Sequence, residues 1–197
     1  LKNAGLLDLI HENGIEWLNV FAVDNVLQRI ADPCFIGATI TENRSVGAKV
    51  VCKNHPDEKV GVMCLKDNHP SIVEYYELTP ELRDAVDEDG EPAYNFGVIL
   101  NYLFKESELE DICENTLPLH IVEKKIPYID DAGTLIKPEE PNGYKFETLI
   151  LDMIQMMDTC LPFEVERDKE FAPIKNKTGI DSVESARALL AKNGVTL

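Results

Sequence analysis

The stretch Trp17-Leu-Asn-Val-Phe-Ala-Val23 holds one polar side chain and runs directly into Asp24-Asn25. Such an apolar run reads as a strand buried in a parallel sheet. A strand that closes on a carboxylate delivers it to the ligand edge of an α/β fold. Asn25 reads as the turn former after it, with no chemistry of its own.

The rest of the chain alternates short strand and helix patterns. Residues 1–12 carry a helical pattern stopped by Asn13-Gly14. Ala31-Asp-Pro33 reads as a break, with a strand expected from Phe35 to Thr41. Strands are expected at Gly47–Lys53 and Lys59–Leu65. Lys66-Asp-Asn-His-Pro70 then makes a hairpin connection into Ser71–Leu78. Thr79-Pro80 opens a short helix, and Gly97–Phe104 and Ser107–Asn115 read as helices, the second with a capping box from Ser107 to Glu110. Leu119–Lys124 is expected as a strand and Asp130–Gly133 as a turn. Phe146–Met157 reads as a helix with Leu149, Ile150, Met153, Ile154 and Met157 on one face. A strand at Pro162–Glu166 and a last helix from about Asp181 to Gly194 complete a mixed, mainly parallel α/β sheet with a β-hairpin insertion.

Charge narrows the function. Nineteen Lys and Arg against 36 Asp and Glu give a net charge of −17. That field repels nucleic acid and anionic membranes, so neither is an expected partner. It repels nucleotides too, so a phosphate site needs local lysines or a divalent cation. Five cysteines without CxxC spacing read as reduced thiols and point to the cytoplasm. His11, His55, His69 and His120 are scattered, none at metal-ligand spacing to a cysteine or carboxylate. G-x-S-x-G, Walker A and H-E-x-x-H motifs are absent.

Two lysines stand out against this acidic background. Lys145 follows Lys137-Pro-Glu-Glu-Pro-Asn142-Gly143-Tyr144, and Lys175 follows Phe171-Ala-Pro-Ile174. Proline stiffens both loops, and a cation fixed in an acidic protein suits a bound phosphate. Gly143 is expected at positive φ, where backbone approaches ligand closely. Lys145 is expected at a helix start, against the macrodipole, which a bound anion would relieve. Lys124 and Lys125 read as a solvated strand end. Glu74 and Tyr75 read as opposite faces of an edge strand.

The chain resembles the eukaryotic-type UDP-N-acetylglucosamine pyrophosphorylases, relatives of the UDP-glucose and UDP-sugar pyrophosphorylases. The matching tracts run in order over about residues 5 to 178: Val23-Asp-Asn25 with Ala31-Asp-Pro-Cys-Phe-Ile-Gly37, Gly47-Ala-Lys-Val-Val51, Val73-Glu-Tyr75, Lys124-Lys-Ile-Pro-Tyr128, Pro141-Asn-Gly-Tyr-Lys145 and Phe171-Ala-Pro-Ile-Lys-Asn176. The resemblance implies a nucleotide-diphospho-sugar transferase fold of Rossmann-like type. Residues 1–197 would be the central and C-terminal part of one catalytic domain. The chain opens at Leu1 without a methionine and stops at Gly194-Val-Thr-Leu197, so the expectation is a piece of a longer protein. It would lack the family's N-terminal glycine-rich loop and C-terminal β domain, and would be inactive alone.

By the same resemblance, Asp24 lies beside the nucleotide phosphates and holds Mg²⁺. Glu74 and Tyr75 line the sugar site, Asn95 and Gly97 lie where an asparagine-rich tract contacts the sugar, and Asn142 and Gly143 lead into Lys145. Lys145 faces the phosphates of UTP, and Lys175 the sugar-phosphate side. Val98 stands where the family carries a second asparagine, so Asn95 or Asn101 serves instead or sugar selectivity differs. The implied reaction is attack by N-acetylglucosamine-1-phosphate on the α-phosphorus of UTP, releasing pyrophosphate. The nucleophile arrives ionised, so positioning and charge neutralisation suffice. UDP-glucose or broad UDP-sugar pyrophosphorylase activity, or non-catalytic nucleotide-sugar binding, stay open as alternatives.

Overall fold

Gly97-Val-Ile-Leu-Asn-Tyr-Leu-Phe104, expected as a helix, is instead the spine of a sheet. The computed structural model describes residues 1–196. Its strands are β1 (Trp17–Phe21), β2 (Val46–Cys52), β3 (Val62–Lys66), β4 (His69–Val73), β5 (Phe96–Lys105), β6 (His120–Lys124), β7 (Tyr128–Ile129), β8 (Leu135–Ile136), β9 (Gly143–Glu147) and β10 (Cys160–Glu164). The α-helices are α1 (Leu6–Glu12), α2 (Pro33–Thr41), α3 (Pro80–Arg83), α4 (Glu106–Ile112), α5 (Arg167–Glu170) and α6 (Val183–Lys192). None of the described helices is long and apolar enough to cross a membrane.

The fold is mixed α/β, as expected, but its sheet is not mainly parallel. The strand order is β10-β2-β5-β3-β4, with β1 also on β5. Only β10 and β2 run parallel; every other pairing in this sheet is antiparallel. β1 shows why the run before Asp24 misleads. It has one neighbour and all five of its residues are half-buried, so its apolar content covers an edge rather than filling a parallel interior.

β5 owes its length to apolar content that a short window cannot assign to helix or strand. Pairing with three neighbours decides the matter. α2 replaces the strand expected at Phe35–Thr41, because Asp32 caps it by accepting from Cys34 N at 3.1 Å and Pro33 takes the first turn. The Asp-Pro pair was a helix start, not a break. α4 begins one residue before Ser107 and has no side-chain cap.

The β3–β4 hairpin forms where expected. Asp67 and Asn68 hold φ of 52° and 64°, the two positive values a tight type I′ turn requires. Residues 120–147 make a separate ribbon, β6 antiparallel to β9 with β7 and β8 paired near its tip. Lys145 therefore lies inside a strand, opposite Val122, where no helix macrodipole opposes its charge. The helix expected over 146–157 shrinks to a 3₁₀ segment, Ile150–Met156. Threefold spacing then buries Leu151, Ile154 and Met157 as one row.

The two faces of β2 carry different cores. Val46, Ala48 and Val50 pack with Tyr102, Phe104, Leu151 and Ile154. The opposite face presents Gly47, Lys49 and Val51 towards α2 and the Phe171 tract. A Cβ on Gly47 would come within 2.6 Å of the Phe35 ring, so the helix can lie this close only over glycine. α6 carries a capping box from Ser182 to Ser185. All five cysteines are free thiols.

Candidate functional site

Register alone creates an opening in the sheet. β1 occupies β5 from Lys105 to Asn101, and β3 meets β5 at Gly97. Between them, residues 98–100 have no strand beside them on that edge of β5. The register with β2 also slips here: Ala48 faces Tyr102 and Val50 faces Val98. Leu100 takes the strain with φ of 50°, a bulge of the kind that re-aims side chains near sites. The chain seals both rims, since Ala22 N donates to Leu100 O at 2.9 Å and Val98 N to Gly61 O at 2.9 Å.

A cleft of about 250 Å³ opens at this gap, and its lining includes Asp24, Lys59, Glu74, Tyr75, Val98, Tyr102 and Lys175. Four residues chosen from sequence, Asp24, Glu74, Tyr75 and Lys175, thus meet from three separate chain segments. Glu74 and Tyr75 follow the end of β4 rather than alternating along it, which lets both reach the cleft. Lys59, on the loop before β3, is a second cation that the sequence reading passed over.

Asn25 explains why Asp24 and Lys175 lie together. It is 4% exposed. Its side-chain Nδ2 donates to Glu170 O at 2.7 Å, and its Oδ1 accepts from Ala172 N at 2.8 Å and from Leu27 N at 3.2 Å. Backbone bonds extend the clip, with Val26 N donating to Ala172 O at 3.2 Å and Ile174 N to Asp24 O at 2.9 Å. Far from being only a turn former, Asn25 fastens the Phe171–Lys175 tract beside Asp24. Such a bond between residues 145 apart leaves no local trace in a sequence.

A buried ion cluster supports the same tract from below. Lys49, 0% exposed, places Nζ 2.7 Å from Asp32 Oδ2 and 2.5 Å from Glu170 Oε2. Arg29 Nε lies 3.6 Å from Glu170 Oε1. Burial pushes the Asp32 carboxyl upward, but the Lys49 hydrogen bond and charge outweigh it and hold it below the ordinary aspartate range.

Other expected site residues lie elsewhere. Lys145 is exposed on β9 and paired with Glu147. The ribbon that carries it is tied beside the cleft: His120 Nε2 lies 2.9 Å from Asp152 Oδ2, and its Nδ1 3.7 Å from Glu77 Oε1. Asn142 bonds both the N–H and the carbonyl of Ile126, at 2.7 and 3.0 Å. Gly143 is not at positive φ; a Cβ there would sit 2.8 Å from Ile126 Cδ1, the mobile end of that side chain. Asn95 accepts from Lys53 N at 2.9 Å, and Gly97 makes room for Val60. Asn101 is fully buried between Asn19 and Gln28. Neither asparagine lines the cleft, while Val98 does. His11 lies within reach of Glu106 and Glu110, its Nε2 2.7 and 3.8 Å from their carboxylates. Sequence spacing hid that cluster, which shares no residue with the cleft.

Glu74 illustrates what a ligand cleft costs the fold. Burial, then the neighbouring Glu77, raises its carboxyl above the usual range. A carboxyl raised on folding favours the folded state below its unfolded pKa, and that advantage disappears as pH climbs through the folded value. Glu74→Gln is therefore expected to raise the urea midpoint at pH 7, the gain shrinking near pH 4 where both side chains are neutral. An equal gain at both pH values would contradict this origin.

Three comparisons bear on this geometry. The profile of the UTP–glucose-1-phosphate uridylyltransferase family matches residues 1–196. The mouse UDP-N-acetylhexosamine pyrophosphorylase-like protein 1 is 41% identical over 98% of this chain and 39% of its own length. The yeast UDP-N-acetylglucosamine pyrophosphorylase is 38% identical over 98% of this chain and 44% of its own. A crystal structure of a putative UDP-N-acetylglucosamine pyrophosphorylase from Entamoeba histolytica superposes with a TM-score of 0.87 at 34% identity, covering 98% of this chain and 48% of that one. The chain thus spans between 39% and 48% of the length of these relatives.

Proposed function

Because this chain belongs to the eukaryotic UDP-N-acetylhexosamine pyrophosphorylase branch of the UTP–glucose-1-phosphate uridylyltransferase family, we propose that the protein carrying it makes UDP-N-acetylglucosamine and pyrophosphate from UTP and N-acetylglucosamine-1-phosphate. The observation that carries this reading is the meeting of Asp24, Glu74, Tyr75 and Lys175 around one cleft. It combines a carboxylate for metal and phosphate, acceptors for sugar hydroxyls, and a cation for phosphate charge.

In this reading the sugar phosphate oxygen attacks the α-phosphorus of UTP and pyrophosphate leaves. Lys175 neutralises charge on the sugar-phosphate side, and Glu74 accepts from sugar hydroxyls. Lys145 turns from Glu147 to the phosphates of UTP. Asp24 fits Mg²⁺: its half-exposed carboxylate has no ion-pair partner among the described residues, and Mg²⁺ takes one or two carboxylates together with substrate phosphates. When bound, Mg²⁺ supplies charge neutralisation at those phosphates. The five free thiols support a reducing, cytoplasmic setting for the protein.

Purified full-length protein supplied with UTP, N-acetylglucosamine-1-phosphate and Mg²⁺ is expected to release pyrophosphate. No release with any sugar-1-phosphate would sink the proposal. A broader UDP-sugar or UDP-glucose activity is favoured by one observation, the apolar Val98 on the cleft wall. Comparable kcat/KM with glucose-1-phosphate would select it.

A further inference from the structure

The bulge in β5 has a second consequence at Tyr102. This residue is 1% exposed and packed edge-on against Phe104, with ring centroids 6.1 Å apart. It nevertheless belongs to the cleft lining, beside Val98 and Glu74. Its backbone carbonyl accepts from Asn19 at 2.9 Å, but its hydroxyl has no hydrogen-bond partner among the described residues. A phenol in such a setting ordinarily finds a partner; the Tyr102 oxygen is not among the fully buried polar atoms left without one, so it keeps a small opening to the cleft that the residue lines. Burial and the charge of Glu74 both raise the hydroxyl pKa, so the group stays protonated and is a donor at working pH.

We propose that Tyr102 is a specificity-determining residue whose hydroxyl, at the floor of the cleft, donates a hydrogen bond to an oxygen of the bound sugar while Glu74 accepts one. This rests on the sugar-nucleotide reading above. It also answers the difficulty at Val98. With an apolar side chain at that point of the wall, and with Asn95 and Asn101 engaged elsewhere, the polar group available from β5 is the hydroxyl four residues further along. A site built to hydrogen-bond a substrate oxygen discriminates strongly against losing that bond.

Tyr102→Phe removes the hydroxyl and keeps the packing. In the full-length protein the KM for N-acetylglucosamine-1-phosphate is expected to rise about tenfold, with the KM for UTP within about twofold and Tm within about 1 °C of the parent. An unchanged sugar KM in an active parent would overturn the inference alone. A fall in Tm of several degrees would also overturn it, by showing that the hydroxyl serves the fold. A parent that neither forms pyrophosphate nor binds UDP-N-acetylglucosamine would remove the sugar-nucleotide reading, and this inference with it.

Discussion

Lys175→Ala in the full-length protein is expected to lower kcat/KM for UDP-sugar formation by about 100-fold or more, roughly 3 kcal/mol, the scale of losing one oriented charge donor. The side chain is exposed at the cleft, so thermal unfolding is expected to match the parent. Its backbone is what the fold fixes: Lys175 N donates to Asp181 O at 2.7 Å, and Ile174 N to Asp24 O. Substituting the side chain leaves those bonds in place. Steady-state kinetics beside a melting curve separates the two effects, and near-parental turnover would remove Lys175 from the reaction. Lys145→Ala, expected from the family resemblance to cost about as much, makes a useful contrast. A loss on that scale requires the ribbon to bring Lys145 from Glu147 to the phosphates; loss at Lys175 alone would leave Lys145 a surface cation.

The second large effect concerns stability. Lys49→Ala is expected to destabilise the fold by about 3–5 kcal/mol, because it strands two buried carboxylates without their cation. Asp32 is 8% exposed and Glu170 6%. The expectation is sharper for a triple variant, Lys49→Met with Asp32→Asn and Glu170→Gln, which removes the charges together. It is expected to recover much of the loss, since uncharged groups tolerate burial that unpaired ions do not. Asparagine at position 32 can still cap α2. Urea denaturation of all three proteins measures this, and a triple variant no better than Lys49→Ala would mean that packing, not charge, dominates. In the parent, the depressed Asp32 carboxyl contributes stability that is complete above the ordinary aspartate pKa of about 3.9. That contribution is lost as pH falls through its lower folded value.

Both effects converge on the segment from Glu170 to Lys175. Glu170 uses its carboxylate to hold Lys49 and its carbonyl to hold Asn25. Asn25 in turn fastens Ala172. The buried charge and the cleft cation are thus parts of one brace between β2, the end of β1 and the loop after α5.

Local chemistry settled much of this protein before folding. The hairpin at Asp67-Asn68, the cap at Thr79 and the turn at Asp130–Gly133 are legible because each depends on a few adjacent residues. Asp24 and Lys175 stand out by local pattern, Glu74 and Tyr75 only through the family resemblance, and all four line the cleft. Misreadings fell where pairing overrides local pattern. Gly97–Phe104 reads locally as a helix and Trp17–Val23 as a parallel interior strand, since an apolar run records burial but not direction or neighbours. Lys145 was placed on a helix because 146–157 is periodic, although its backbone is committed to β6. Most of what was missed acts across distance: Asn25 with Glu170, Lys49 with Asp32, and the Tyr102 hydroxyl at a gap left by two strand registers. Those contacts join residues far apart in the chain, and only the tertiary structure can decide which buried polar groups find partners and which face an open cleft.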